Sequence, residues 1–79
     1  MTRSLSELRI KEKGVIESVS GQDALQIRLN ELGLVPGTTV CVKRFAPLGD
    51  PMELEVRGYC LSIRKQDAGR IVVKLIEAQ

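Results

Sequence analysis

Few residues in this chain could do chemistry. It contains no histidine, which removes the commonest general base and the commonest transition-metal ligand. Cys41 and Cys60 stand alone, far from the CxxC spacing of a zinc site. Strand alternation puts Cys41 opposite to Val40 and Val42, and Cys60 on the face away from Leu61 and Ile63, where a thiol serves as a small filler. Glu53 and Glu55 have the form of a carboxylate pair on one strand face, but cross-strand contact with arginine accounts for them without catalysis. Gly33 and Gly37 have no GK[ST] partner, so no phosphate loop is present. No catalytic residue, metal ligand or cofactor is assigned, and the expected activity is binding, not catalysis. The run FAPLGDP, Phe45 to Pro51, is either only a turn between strands or a surface that a partner reads.

Length and composition narrow the class. The chain has 79 residues, enough for one small domain spanning 1–79. Hydrophobic residues make up 43%, too many for a disordered chain. Only Phe45 and Tyr59 are aromatic, so the core must be built from Leu, Ile and Val. Charge interrupts the N-terminal MTRSLSELRIKEKG every few residues, unlike a signal peptide, and no apolar run approaches the ~20 residues of a membrane span. Two isolated thiols fit a reducing compartment, and the expected location is the cytoplasm, without direct membrane insertion. A net charge of +2 and two aromatics offer little for nucleic acid to stack on or be drawn to, and none is expected as a partner.

The elements that must position a binding surface follow in order. Ser4 and Glu7 have capping-box spacing ahead of Leu5 and Leu8, which predicts a helical turn. Gly14 opens a short strand, GVIESV. From Gln22, Leu25, Leu29 and Leu32 recur at helical spacing, predicting one amphipathic helix over about 22–32, ended by Gly33. Val35-Pro36-Gly37-Thr38 suits a type II turn. TTVCVKRFA is strand-like, and PMELEVRG with YCLSIRK reads as a hairpin around Gly58. With Gly58-Tyr59 as a type II′ loop, Leu54 faces Ile63, Glu53 faces Arg64 and Glu55 faces Ser62; a loop of Arg57-Gly58 keeps the same faces, and alternation does not choose between them. KQDAG is a single helical turn before a last strand, Ile71 to Ile76. About five short antiparallel strands, one helix and short helical turns predict a mostly β fold, an SH3-like small barrel.

The run RLNELGLVPGTTVCVKRFAPLGDPMELEVRGYCLSIRKQDA resembles the FeoA family. The pattern is L-x-x-L-G-L-x-P-G at Leu29 to Gly37, A-P-L-G-D-P at Ala46 to Pro51, and L-x-[IL]-R at Leu61 to Arg64, in that order. The resemblance implies an SH3-like barrel that accompanies FeoB, the ferrous-iron permease with a cytosolic GTP-binding domain, as an accessory or regulatory partner. It also extends to the C-terminal domain of DtxR-type iron-dependent repressors, which keeps a nucleic-acid-binding or metal-sensing module as the alternative, with Asp50, Glu53 and Glu55 as the carboxylates that a weakly bound metal would use.

In FAPLGDP, Pro47 and Gly49 reverse the chain, Asp50 caps the turn and Pro51 starts the return strand. That leaves Leu48, an apolar side chain near a loop tip. It either folds back over the barrel end or stands out as a contact, and loops on rigid scaffolds are where binding residues lie. Leu34 and Val35 pose the same choice between core plug and groove. The expected partner surface is therefore Leu32, Leu34, Val35, Phe45, Pro47, Leu48 and Asp50, a groove between the helix end and the hairpin that docks the cytosolic part of FeoB. Exposed sheet edges also allow weak homo-oligomers.

Overall fold

The computed structural model describes residues 1–21 and 23–76. Six strands form one antiparallel sheet in the order β1-β6-β2-β3-β4-β5. They are β1 (Thr2–Ser4), β2 (Lys13–Val19), β3 (Thr39–Phe45), β4 (Met52–Val56), β5 (Tyr59–Ile63) and β6 (Ile71–Ile76), with α1 (Ala24–Glu31) between β2 and β3 and α2 (Lys65–Ala68) before β6. The mostly β expectation holds, with one strand more than the five expected. The additional strand is β1, three residues long and paired to β6.

The Ser4–Glu7 signal operates as read. Ser4 Oγ accepts from the Ser6 amide at 3.2 Å, and Glu7 Oε1 accepts from the Ser4 amide at 3.1 Å, capping a 3-10 turn at Leu5–Glu7. The α1 helix lies inside the expected span, with Asp23 as its N-cap and Leu32 as its C-cap; Gln22 lies outside the described residues. The Val35–Thr38 turn closes with the Thr38 amide on the Val35 carbonyl at 3.1 Å, Gly37 taking φ 92°.

Two irregularities bend the sheet. Register slips between Ile16 and Ser18 in β2 and between Val42 and Arg44 in β3, each leaving one residue without a cross-strand partner and increasing local twist. The strands thereby curl around one core, to which Leu5, Ile16, Leu29, Leu34, Val42, Met52, Leu54, Ile63, Ile71 and Val73 all contribute. The second slip also corrects the expected ion pairs. Because Lys43 is the extra residue, both it and Arg44 reach outward: Lys43 pairs with Glu55 at 3.2 Å and Arg44 with Glu53 at 2.8 Å. Glu53 lies opposite Ser62, not Arg64, because the hairpin loop is Arg57-Gly58, with Val56 opposite Tyr59 and Leu54 opposite Leu61. Positive φ at both loop residues, 50° and 85°, is the type I′ geometry whose twist matches the flanking strands.

Gly14 sits where β2 passes between β3 and β6. A Cβ placed there would lie 3.0 Å from Val73 Cβ and 3.3 Å from the Lys74 carbonyl oxygen, neither of which is a flexible chain end. Gly14→Ala is expected to cost about 1–3 kcal/mol of stability by overpacking, read as a lower denaturation midpoint at unchanged m-value.

Candidate functional site

The α1 helix is held at both ends. Asp23 accepts from the Gln26 amide at 3.3 Å as a side-chain cap. Arg70 donates to both Asp23 carboxylate oxygens, at 3.1 and 2.8 Å, and twice to the Ser20 carbonyl, at 3.1 and 2.8 Å. At the other end the Tyr59 hydroxyl donates to the Leu32 carbonyl. Between these anchors only Leu29 of α1 is fully buried. The guanidinium of Arg70 holds the Asp23 carboxyl below its ordinary value of 3.8. A carboxylate whose pKa is depressed on folding stabilises the native state above its unfolded value and loses that contribution as pH falls through the folded one. Thermal melts from about pH 6 down to about pH 2 are therefore expected to show acid destabilisation below the ordinary carboxylate value, with Asp23→Asn less stable at neutral pH and its deficit closing in acid.

With α1 fixed, its apolar stripe forms one wall of a groove. Leu25, Arg28, Leu29 and Leu32 face Ser62 and Ile63 of β5, Arg64 and Asp67 around α2, and Pro51, across about 400 Å³. The lining is mixed: Leu25, Leu29, Leu32, Pro51 and Ile63 supply its apolar part, and Arg28, Ser62, Arg64 and Asp67 its polar part.

The expected partner residues separate into three settings. Leu32 is half-buried and lines the groove. Leu34 is fully buried in the core, so of its two readings the core plug is the one that the structure places. Val35 is half-buried in the turn, outside the groove walls. Phe45, Pro47, Leu48 and Asp50 sit together at the α2 end of the molecule. Phe45 packs against the core beneath Lys65 Nζ, which lies 5.0 Å from its ring centre. Asp50 Oδ1 accepts from the Lys65 amide at 3.0 Å; it caps α2 and not its own turn, which closes instead through the Gly49 amide on the Ala46 carbonyl at 2.7 Å. Pro47 is exposed, and Leu48 is 97% exposed: it stands out at the tip. Removing the α2 cap with Asp50→Ala is expected to cost about 1 kcal/mol.

Sequence reasoning found the α1 stripe but missed Arg28, Ser62, Arg64 and Asp67. Its one usable signal was the closing Leu61–Arg64 motif, which sets β5 directly before α2. The three carboxylates of the weak-metal alternative have other partners in the structure: Asp50 accepts from the Lys65 amide, and Glu53 and Glu55 pair with Arg44 and Lys43. Among the described residues, no three His, Cys, Asp or Glu side chains cluster as a metal site.

The FeoA domain model matches residues 3–75. The chain belongs to the FeoA domain family. It is 39% identical over 74 residues to the Fe(2+) transport protein A/Fe(2+) transporter FeoB fusion protein of Porphyromonas gingivalis, an alignment that covers 94% of this chain and 9% of that protein. The chain thus spans under a tenth of the length of that relative. Among solved structures, the FeoA protein of Chlorobium tepidum superposes with TM-score 0.89 at 39% identity, over 98% of this chain and 73% of that one. Stenotrophomonas maltophilia FeoA complexed with zinc, described as a prokaryotic SH3 domain protein, superposes with TM-score 0.77 at 37% identity, over 94% and 89%. The expected SH3-like FeoA fold is therefore the fold of this chain. A manganese-dependent transcriptional repressor also matches, with TM-score 0.87 over 95% of this chain and 37% of that one, but at 16% identity the likeness is one of fold alone. Among the described residues, no helix is long and apolar enough to cross a membrane.

Proposed function

We propose that this FeoA domain is a non-enzymatic accessory protein of ferrous-iron uptake, acting in the cytoplasm by docking against the cytosolic part of a FeoB-type permease. The observation that carries the reading is the fusion: in Porphyromonas gingivalis a protein named for both partners contains a segment 39% identical to this chain. Tethering two modules raises their effective concentration to about the millimolar range, an arrangement that favours partners whose separate affinity is weak. The docking surface is the α2 end of the molecule with the adjoining groove: Leu48, Pro47, Phe45 and Asp50 on the loop, Leu32 and Val35 at the end of α1, and Leu34 beneath them as support.

An amide-resolved NMR titration of the labelled domain with the cytosolic domain of the permease, with and without guanine nucleotide, tests this reading. Shifts clustered on residues 32–37 and 45–51 support it, and nucleotide dependence makes the role regulatory. No shift at concentrations well above the micromolar range defeats it for the isolated domain.

A further inference from the structure

The β5 strand is the outer edge of the sheet, paired on one side with β4 and on the other with no strand among the described residues. The register says which of its backbone groups face outward. Val56 and Tyr59 flank the two-residue loop and turn their backbone groups toward each other across it. Alternation along an antiparallel ladder then turns Leu61 and Ile63 inward to β4, and Cys60 and Ser62 away from it. Both of these residues are exposed, and no backbone hydrogen bond among the described residues involves them outside the sheet. Two N–H donors and two C=O acceptors thus line an open edge. Edge strands are ordinarily guarded by charge, proline or a bulge. The Tyr59–Ile63 strand has no charged residue and no proline, and its register is regular. The opposite edge, β1, carries Arg3.

That edge borders the groove. Ser62 and Ile63 belong to both, and Arg28 and Arg64 stand on the rim. The ion pairs among the described residues join Lys43 to Glu55, Arg44 to Glu53 and Arg70 to Asp23, and leave both rim arginines without a carboxylate. Asp67, the acidic residue of the wall, forms no ion pair with either of them among the described residues. Leucine and isoleucine side chains in the groove, an open strand edge, and two guanidinium groups that form no ion pair among the described residues fit a single kind of occupant.

We propose that the domain takes an extended protein segment of alternating apolar and acidic residues, which adds as a seventh strand to β5. Its backbone bonds to Cys60 and Ser62, its apolar side chains enter the groove over Leu29 and Ile63, and its carboxylates meet Arg28 and Arg64. This is strand addition, in which main-chain bonds give affinity and alternate side chains give specificity. The inference rests on the docking reading above and specifies the segment that docks.

The probe is a blocked six-residue peptide alternating valine and glutamate, with a lysine-for-glutamate analogue and a backbone N-methylated analogue as controls. The glutamate peptide is expected to shift the Cys60 and Ser62 amides and slow their hydrogen exchange at least about tenfold. The lysine analogue should bind at least about tenfold more weakly, and the N-methylated one should leave those amides unchanged. Ser62→Pro removes an outward N–H at an edge position where proline is tolerated, and should weaken the glutamate peptide to the level of its N-methylated analogue. Arg28→Gln with Arg64→Gln, which leaves the strand intact, should erase the glutamate–lysine difference. Equal binding of the N-methylated peptide overturns strand addition. A dimer in sedimentation that Ser62→Pro dissociates overturns the acidic segment as the occupant and makes a second copy the added strand. Titration of the same variants with the cytosolic domain of the permease separates the two proposals. If Leu48→Glu weakens that domain and Ser62→Pro does not, docking stands and strand addition fails. If the peptide binds as described and the domain does not bind, strand addition stands and the permease reading fails.

Discussion

Replacing Leu34 with alanine is expected to cost about 2–5 kcal/mol, the largest stability loss of any single truncation near the helix-to-strand turn. Leu34 is wholly buried, and the reason lies in how α1 ends. The Leu34 amide donates to the Leu29 carbonyl at 3.0 Å and the Gly33 amide to the Asn30 carbonyl at 3.0 Å, with Gly33 at φ 89°. These two bonds define a Schellman motif, in which the residue after the left-handed glycine packs back on the last helical turn. Leu34 thereby enters the same core as Leu29 and fixes the angle at which the chain leaves the helix for β3. A domain of this size holds only a few kcal/mol in reserve, so Leu34→Ala is expected to leave a substantial unfolded fraction at 25 °C. Urea titration followed by far-UV circular dichroism checks it. A conservative Leu34→Met, which keeps volume, should cost less than about 1.5 kcal/mol. A Leu34→Ala protein as stable as the parent would show that the site is not core.

The same motif shows what was legible in the sequence and what was not. Local signals read correctly: the Ser4–Glu7 box, the Leu25–Leu29–Leu32 stripe, the glycine stop at Gly33 and the turn at Val35–Thr38 each depend on residues within one or two turns of one another. The L-G-L step at Leu32–Leu34 contained more than was taken from it, because a left-handed glycine followed by an apolar residue predicts an inward leucine. The hairpin loop was not legible: type I′ needs positive φ at Arg57 as well as Gly58, and a bulky residue there is uncommon. Thr38 Oγ1 accepts from the Arg57 guanidinium at 3.1 Å and helps to hold it, a contact between residues 19 apart that no local pattern announces. The slips beside Glu17 and Lys43 were hidden for the same reason, since they are set by curvature of the whole sheet. So was the far wall of the groove, which reaches α1 only once β5 and α2 have folded back.

Leu48→Glu separates docking from folding. An apolar side chain that is almost wholly in water contributes little to the native state, so the substitution should change stability by no more than about 0.5 kcal/mol. For a domain of this length that is a shift in Tm of about 2–4 °C at most. If Leu48 is buried by the permease, it brings about 1.5–3 kcal/mol of burial to the complex, and every 1.4 kcal/mol is about tenfold in affinity. Glutamate forfeits that burial and adds a carboxylate to be desolvated. The expected result is therefore a fall in affinity for the cytosolic domain of about ten- to a hundredfold, with Tm near that of the parent. Titration calorimetry beside a thermal melt reads both quantities on the same protein. Val35→Glu should fall in the same direction but with a larger loss of Tm, because Val35 is half-buried and Leu48 is not. Unchanged affinity in Leu48→Glu would remove the loop tip from the interface, and FAPLGDP would then be a turn whose work is structural: the α2 cap supplied by Asp50 and the packing of Phe45 against the core.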